Sequence, residues 1–188
     1  GLEMKDMSRD YKWLLGIDIG GTNIVLGLVP MAGGEPHGLR RLLTHSERGG
    51  KEVLERATTA ARECLREILG SDDSYLDQVA GVGVGAPGPL DRKTGILRES
   101  PNLGWRDFPL GQLVKDALGL PVEVDNDANC AIYGEWWMGA GKGASSLVGL
   151  TLGTGIGGGL VLNGELHHVA SDVAGEFGHT TIDSTGRK

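Results

Sequence analysis

Acidic side chains follow two apolar runs of this sequence, at points where a carboxylate could take up a proton or bind a cation. Asp18 closes the first run, and Asp125, Asn126 and Asp127 follow the β-branched pair at positions 122 and 124. Open α/β sheets place their chemistry at the carboxyl ends of strands, on a rigid support. Asp127 is therefore the predicted general base. The alternative is that Asp125 or Asp127 only caps the helix that follows.

Two glycine-rich segments lie on either side of this acidic stretch in the sequence. They read Asp18-Ile-Gly20-Gly21-Thr22-Asn23 and Gly153-Thr154-Gly155-Ile-Gly-Gly-Gly159. Each separates two apolar runs, which predicts a strand, a glycine turn and a second strand. Backbone N–H groups in such turns bind anions, and Thr22 can add a hydroxyl donor. Both segments are thus predicted phosphate-binding turns, with an ordinary bulged hairpin as the alternative for the first.

A dinucleotide-binding fold is not indicated, although G-x-G-x-x-G spacing occurs from Gly83 and again from Gly153. In that fold the glycines open a helix, whereas here an apolar strand or a Pro-Gly-Pro breaker follows them.

Composition excludes other classes of protein. The 188 residues carry a formal net charge of −7, which argues against a nucleic-acid partner because phosphate backbones require a basic face. The apolar runs are too short to cross a membrane, so no membrane partner is expected. No signal peptide is evident and the cysteines form no pairing motif, so we expect a cytoplasmic protein.

The spacing of apolar residues predicts an α/β protein with two related lobes. Strands are expected over residues 13–19, 23–30, 38–44, 79–86, 121–124, 145–152 and 160–162, and helices over 51–69, 110–118 and 128–138. Residues 1–12 are expected to be a disordered, tag-like segment. Residues 13–125 would form the N-terminal α/β lobe, and 126–188 the beginning of an incomplete C-terminal lobe.

These motifs, taken in this order, resemble the ROK family of sugar kinases, and within it the bacterial glucokinase type. The matching segments are D-I-G-G-T-N, L-G-T-G-I-G-G-G, S-P-N-L-G-W at 100–105, D-N-D-A-N at 125–129 and A-G-E-F-G-H at 174–179. The resemblance implies the actin-like ATPase (ribonuclease H-like) two-lobe fold, with the second lobe truncated in this chain. It also implies ATP-dependent phosphorylation of a hexose 6-hydroxyl, for which Asp127 would be the base.

The resemblance also assigns binding residues. Those implied for the sugar are Gly88, Asn102, Asn126, Asp127, Glu176 and His179, and those implied for ATP are Asp18, Gly20, Gly21, Thr22, Asn23, Gly153, Thr154 and Gly155. Asp18 would hold Mg²⁺, directly or through water. Glucose is the expected sugar, with fructose, mannose or N-acetylmannosamine as alternatives. The choice between ATP and polyphosphate stays open.

A structural zinc ion is expected only conditionally. In the family, the counterpart of His179 often binds zinc together with three cysteines a few residues later, and no such cysteines precede Lys188. We therefore expect the chain to be the front part of a longer kinase, inactive alone, and the complete protein to be a homodimer or homotetramer. A sugar-sensing ROK regulator and an actin-like filament module are the alternatives. The few polar residues before Trp13 and the sugar-type E-x-x-H sequence argue against them.

Overall fold

The structure is a computed structural model that describes residues 10–71, 73–152 and 156–168. It divides into two compact units, Gly1–Asp127 and Ala128–Lys188. Within the described residues, no helix is long and apolar enough to cross a membrane.

A five-stranded sheet forms the centre of the first unit. Its strands lie in the order β3 (His37–Leu43), β2 (Asn23–Pro30), β1 (Trp13–Ile19), β4 (Val79–Ala86) and β8 (Val122–Asn126). β1, β2 and β3 are antiparallel neighbours, whereas β4 and β8 run parallel to β1. The carboxyl ends of β1, β4 and β8 therefore lie at the same edge of the sheet.

Two helices of the first unit bury apolar faces in the same core as the sheet. These are α1 (Gly50–Leu69) and α2 (Leu110–Leu118), whose buried residues recur at three- and four-residue steps. α2 ends at Gly119, which is left-handed with φ 68° and donates its N–H to Lys115 O at 2.8 Å. Glycine reaches this conformation without steric cost, so it terminates the helix there. The predicted strands of this sheet and the two predicted helices that pack on it are confirmed, with ends that shift by one or two residues.

A second, three-stranded sheet in the first unit was not predicted. It consists of β5 (Leu90–Asp91), β6 (Ile96–Ser100) and β7 (Trp105–Phe108), in that order. The strands are short and rich in charge, so they show no clear apolar alternation. Exposed cross-strand pairs, Arg98 with Asp91 at 3.1 Å and Arg106 with Glu99 at 2.6 Å, accompany the buried Leu97 and Trp105.

The second unit contains most of helix α3 (Asp127–Met138), which begins at the last residue of the first unit. A three-stranded antiparallel sheet follows the helix in the chain. The strands are β9 (Leu147–Leu152), β10 (Ile156–Leu162) and β11 (Glu165–Leu166). The predicted turn at Asn163-Gly164 is confirmed, because both residues have positive φ, 51° and 84°.

The predicted start of β10 at residue 160 was wrong. The strand begins at Ile156, so three glycines assigned to a turn, residues 157–159, belong to the strand. Two of them face α3 closely: a Cβ added to Gly157 would lie 3.0 Å from Ala128 Cβ, and one added to Gly159 would lie 3.0 Å from Ile132 Cβ. Glycine therefore allows the helix to approach the sheet at these positions.

Candidate functional site

The candidate site lies at the edge where β1, β4 and β8 end. Asp18 pairs in register with Gly85, and Gly85 with Asp125, so the three residues form one row across parallel strands. Residues in such a row face the same side of a sheet. Gly85, which is buried, lies between the two aspartates in this row and adds no side chain to it. The next helix begins at Asp127, two residues beyond this row.

Asp18 and Asp127 interact electrostatically. The pKa of Asp18 is raised above its ordinary value, first because the surrounding protein desolvates its carboxyl group and second because Asp127 adds a negative charge nearby. Asp18 as a whole residue is exposed, so this desolvation is partial. Both effects favour the protonated form of Asp18 or its neutralisation by a cation.

The first predicted anion-binding turn joins β1 to β2. Gly20 N–H donates to Asn23 O at 2.9 Å, which closes the turn. Within the described part of the chain, the N–H groups of Gly21 and Thr22 donate to no acceptor. A Cβ added to Gly21 would lie 3.3 Å from both Cβ and O of Asn102, so glycine here lets the turn pack against that asparagine. The turn thus has free donors beside a residue implied in sugar binding.

The loop after β4 lies against the end of β8. Asn126 Nδ2 donates to Gly88 O at 3.5 Å, and Asn126 N–H donates to Asp125 Oδ1 at 2.7 Å. Gly88 has φ 110°, and a Cβ there would overlap Glu99 O. No other residue type fits at this position without moving the backbone.

The turn after β6 presents Asn102 to solvent. Leu103 N–H and Gly104 N–H both donate to Ser100 O, at 3.1 and 2.8 Å, and Leu103 is buried beneath the turn. Asn102 itself is exposed. A buried anchor and a shared carbonyl acceptor therefore hold this segment, and its polar side chain faces outward.

The structure thus brings together all nine predicted site residues of the first unit. Those near the sheet edge are Asp18, Gly20, Gly21, Thr22, Asn23, Gly88, Asn102, Asn126 and Asp127. The remaining predicted site residues, Gly153, Thr154, Gly155, Glu176 and His179, lie outside the described residues.

A zinc site is not supported. Within the described ranges, no group of three or more His, Cys, Asp or Glu side chains could hold a metal ion. The conditional zinc assignment to His179 falls outside those ranges.

Sequence reasoning missed three residues around the site. Thr44 binds the turn between β1 and β2, Arg56 binds the backbone at Thr44, and Arg92 Nη1 lies 3.7 Å from Asp125 Oδ2. Thr44 stands alone after a strand and the arginines lie on a helix and in a loop, so no motif marks them. Their roles come from contacts between distant parts of the sequence.

The fold and the site together define an α/β protein with a glycine turn beside a pair of carboxylates. The ROK family model matches residues 14–188. The chain therefore belongs to the ROK family, and the resemblance stated from its motifs is confirmed.

Individual relatives support this assignment. A glucokinase from Halalkalibacterium halodurans is 40% identical over 175 residues, which are 93% of this chain and 52% of that protein. A putative xylose repressor from Caldicellulosiruptor sp. is 33% identical over 95% of this chain and 43% of its own length. The chain spans about half the length of the curated glucokinases it matches.

Solved structures show the same fold. A ROK family glucokinase from Streptomyces griseus, in complex with glucose and AMPPNP, superimposes with a TM-score of 0.77 at 34% identity. The superposition covers 91% of this chain and 51% of that one. The predicted α/β class and actin-like ATPase fold are confirmed by this similarity.

Proposed function

We propose that the protein containing this chain transfers the γ-phosphoryl group of ATP to the 6-hydroxyl of a hexose. The observation that carries the proposal is the grouping of Asp127, Asp18 and the Gly20–Asn23 turn at one sheet edge of the first unit. The similarity to glucokinases, one of them bound to glucose and AMPPNP, supports it.

Asp127 is the proposed general base. Its carboxylate takes the proton of the sugar 6-hydroxyl while that oxygen attacks the γ-phosphorus, and the bond to the bridging oxygen breaks to release ADP. Phosphoryl transfer depends on positioning and charge stabilisation more than on covalent chemistry. A base at the start of a helix that follows a strand directly is held rigidly enough for that purpose.

The turn between β1 and β2 is the proposed site for phosphate oxygens. The N–H groups of Gly21 and Thr22 are available as donors, and the Thr22 hydroxyl adds a third. By resemblance, Gly153, Thr154 and Gly155 would also bind phosphate. The second turn remains part of the proposal on sequence grounds alone.

Some of the proposed sugar contacts come from residues that the structure describes, and others from the resemblance alone. Asn102 and Asn126 carry the amide groups that would bond hydroxyls, and Gly88 supports Asn126 through its carbonyl. Glu176 and His179 are assigned by resemblance. A site of polar groups aimed at hydroxyls discriminates strongly against sugars that lack one of them.

Asp18 is the proposed Mg²⁺ ligand, directly or through water. Carboxylate oxygens are ligands that Mg²⁺ prefers. The pKa of Asp18 is raised first by desolvation and second by the negative charge of Asp127, so a second carboxylate contributes to the charge around Asp18. The Asp18 carboxylate is a suitable ligand for the ion, which when bound would neutralise phosphate charge.

Glucose is the proposed substrate. Residues 13–125 are the proposed N-terminal lobe, and residues 126–188 are the proposed beginning of the C-terminal lobe. A cytoplasmic homodimer or homotetramer remains the proposal for the complete protein.

Sugar-dependent ADP release tests the proposal. The protein is expressed from its complete reading frame and assayed with glucose, mannose, fructose and N-acetylmannosamine, with ATP or polyphosphate as donor. We expect the highest kcat/KM for glucose with ATP. Sugar binding without any ADP release would contradict the kinase proposal and favour a sugar-sensing regulator.

A further inference from the structure

Thr44 is a buried polar residue at the end of β3 that no motif explains. It is fully buried, and its hydroxyl donates to Gly20 O at 2.7 Å. Its backbone N–H donates to Thr22 O at 2.8 Å. Both acceptors are carbonyls of the turn proposed to bind phosphate, so Thr44 holds the back of that turn by two bonds.

Arg56 holds the backbone at Thr44 in place. It lies on α1, and its guanidinium donates to Thr44 O at 3.0 Å and to Leu43 O at 2.8 Å. The planar guanidinium has donors in a fixed fork, so two carbonyls of consecutive residues match it well. The end of β3 is thereby tied to a helix of the buried core.

We propose that Thr44, supported by Arg56, positions the Gly20–Gly21 peptide so that its N–H faces a bound phosphate. This inference rests on the proposed function of the turn. In a trans peptide the C=O and the N–H point in opposite directions. A hydroxyl that holds Gly20 O on one side therefore directs Gly21 N–H to the other, where it has no acceptor within the described part of the chain.

The side chain is needed because the peptide joins two glycines. Glycine rotates readily between backbone conformations, so this peptide can turn over more easily than one between other residues. A reversed peptide would present a carbonyl oxygen to the phosphate and repel it. The Thr44 hydroxyl opposes that reversal, which makes Thr44 a positioning residue for the nucleotide with no expected contact to the sugar.

Thr44→Val tests the inference, because valine keeps the β-branched shape and replaces the hydroxyl with a methyl group. We expect the KM for ATP to rise about tenfold, the size of one lost buried hydrogen bond, while the KM for the sugar changes less than about twofold. Thr44→Ser restores the hydroxyl and should return the KM for ATP to within about threefold of wild type. All variants are made in the protein expressed from its complete reading frame.

Thr58→Val is the matched control. Thr58 is also buried, and its hydroxyl donates to Leu54 O within α1 at 2.9 Å, away from the turn. The same chemical change there should leave the KM for ATP unchanged. If Thr44→Val does not fold, as judged by its melting transition, Arg56→Gln provides the second test and should raise the KM for ATP and not that for the sugar.

The outcomes separate this inference from the proposed function. An active wild type whose KM for ATP is unaffected by Thr44→Val and Arg56→Gln overturns the positioning role alone. Equal rises in both KM values, or no recovery in Thr44→Ser, also overturn it, because they indicate a general structural role. A wild type that neither turns over sugar nor binds ATP by calorimetry overturns the proposed function and the inference with it.

Discussion

The first hairpin, β1–β2, and the second hairpin, β9–β10, share one sequence pattern but have different surroundings. In the first, Leu15, Ile19, Ile24 and Leu28 are all fully buried. In the second, the β9 residues Val148, Leu150 and Leu152 are 59%, 56% and 79% exposed. The same succession of strand, glycines and strand therefore has two outcomes. The first hairpin lies at the centre of a buried sheet, and the second belongs to a sheet with exposed apolar side chains on one face.

The two hairpins also differ in what their glycines contact. In the second hairpin, Gly149 of β9 and Gly159 of β10 meet Ile132 of α3 on the face opposite Leu150. In the first hairpin the glycines at positions 20 and 21 lie in the turn, where they meet Asn23 and Asn102. Strand glycines thus allow close helix packing in the second hairpin, whereas Gly20 and Gly21 of the first form a turn beside polar residues.

The largest difference between the hairpins is expected in the free energy of unfolding when one large apolar side chain in each is truncated to alanine. Ile24→Ala should lower the free energy of unfolding by about 2–5 kcal/mol, because it leaves a cavity in the core. Leu150→Ala removes an exposed side chain and should change it by less than about 0.5 kcal/mol. Urea unfolding of the 188-residue chain measures both. A cost for Leu150→Ala as large as that for Ile24→Ala would show that its face is covered.

A smaller effect is expected from adding a methyl group to a strand glycine. Gly159→Ala places a Cβ 3.0 Å from Ile132 Cβ and should destabilise the chain by about 1–3 kcal/mol. Gly16→Ala in β1 meets only Gly27 O, at 3.8 Å, and should be neutral or slightly stabilising. Thermal unfolding of the two variants gives the comparison. Equal destabilisation would contradict the assignment of close helix packing to the second hairpin alone.

The smallest effect concerns the charge at the end of the first hairpin. The pKa of Asp18 is raised in the folded protein, so its ionised form lowers stability above that pKa and its protonated form does not. Asp18→Asn should therefore raise Tm at pH 7, and the gain should shrink as the pH falls toward the ordinary value of 3.8. Glu165→Gln, in exposed β11, is the control and should show no such trend. A Tm gain that is independent of pH would mean that the charge of Asp18 is not the cause.

Local sequence was sufficient to predict the main sheet and the residues at its edge. The apolar runs before Asp18 and Asp125 gave β1 and β8, and the glycines after Asp18 gave the turn. Positions 157–159 were misassigned because a glycine in a turn and one beneath a helix look alike in sequence. Deciding between them requires knowing which helix packs on the strand.

The contacts that were missed join residues far apart in the chain. Thr44 and Gly20 are 24 positions apart, and Arg56 reaches Thr44 from 12 positions away. Strands β5 to β7 are short and charged, and they are held by partners on neighbouring strands. Neither kind of interaction leaves a periodic signal, so both required the fold.

The most direct test of the account is turnover by Asp127→Asn in the protein expressed from its complete reading frame. We expect kcat for sugar phosphorylation to fall about 10²–10⁴-fold, the usual contribution of a general base, while the Kd for the sugar stays within about threefold. Asp116→Asn, which changes an exposed carboxylate on α2, is the matched control and should retain full turnover. Wild-type kcat in Asp127→Asn would contradict the assignment of Asp127 as the base and, with it, the proposed site.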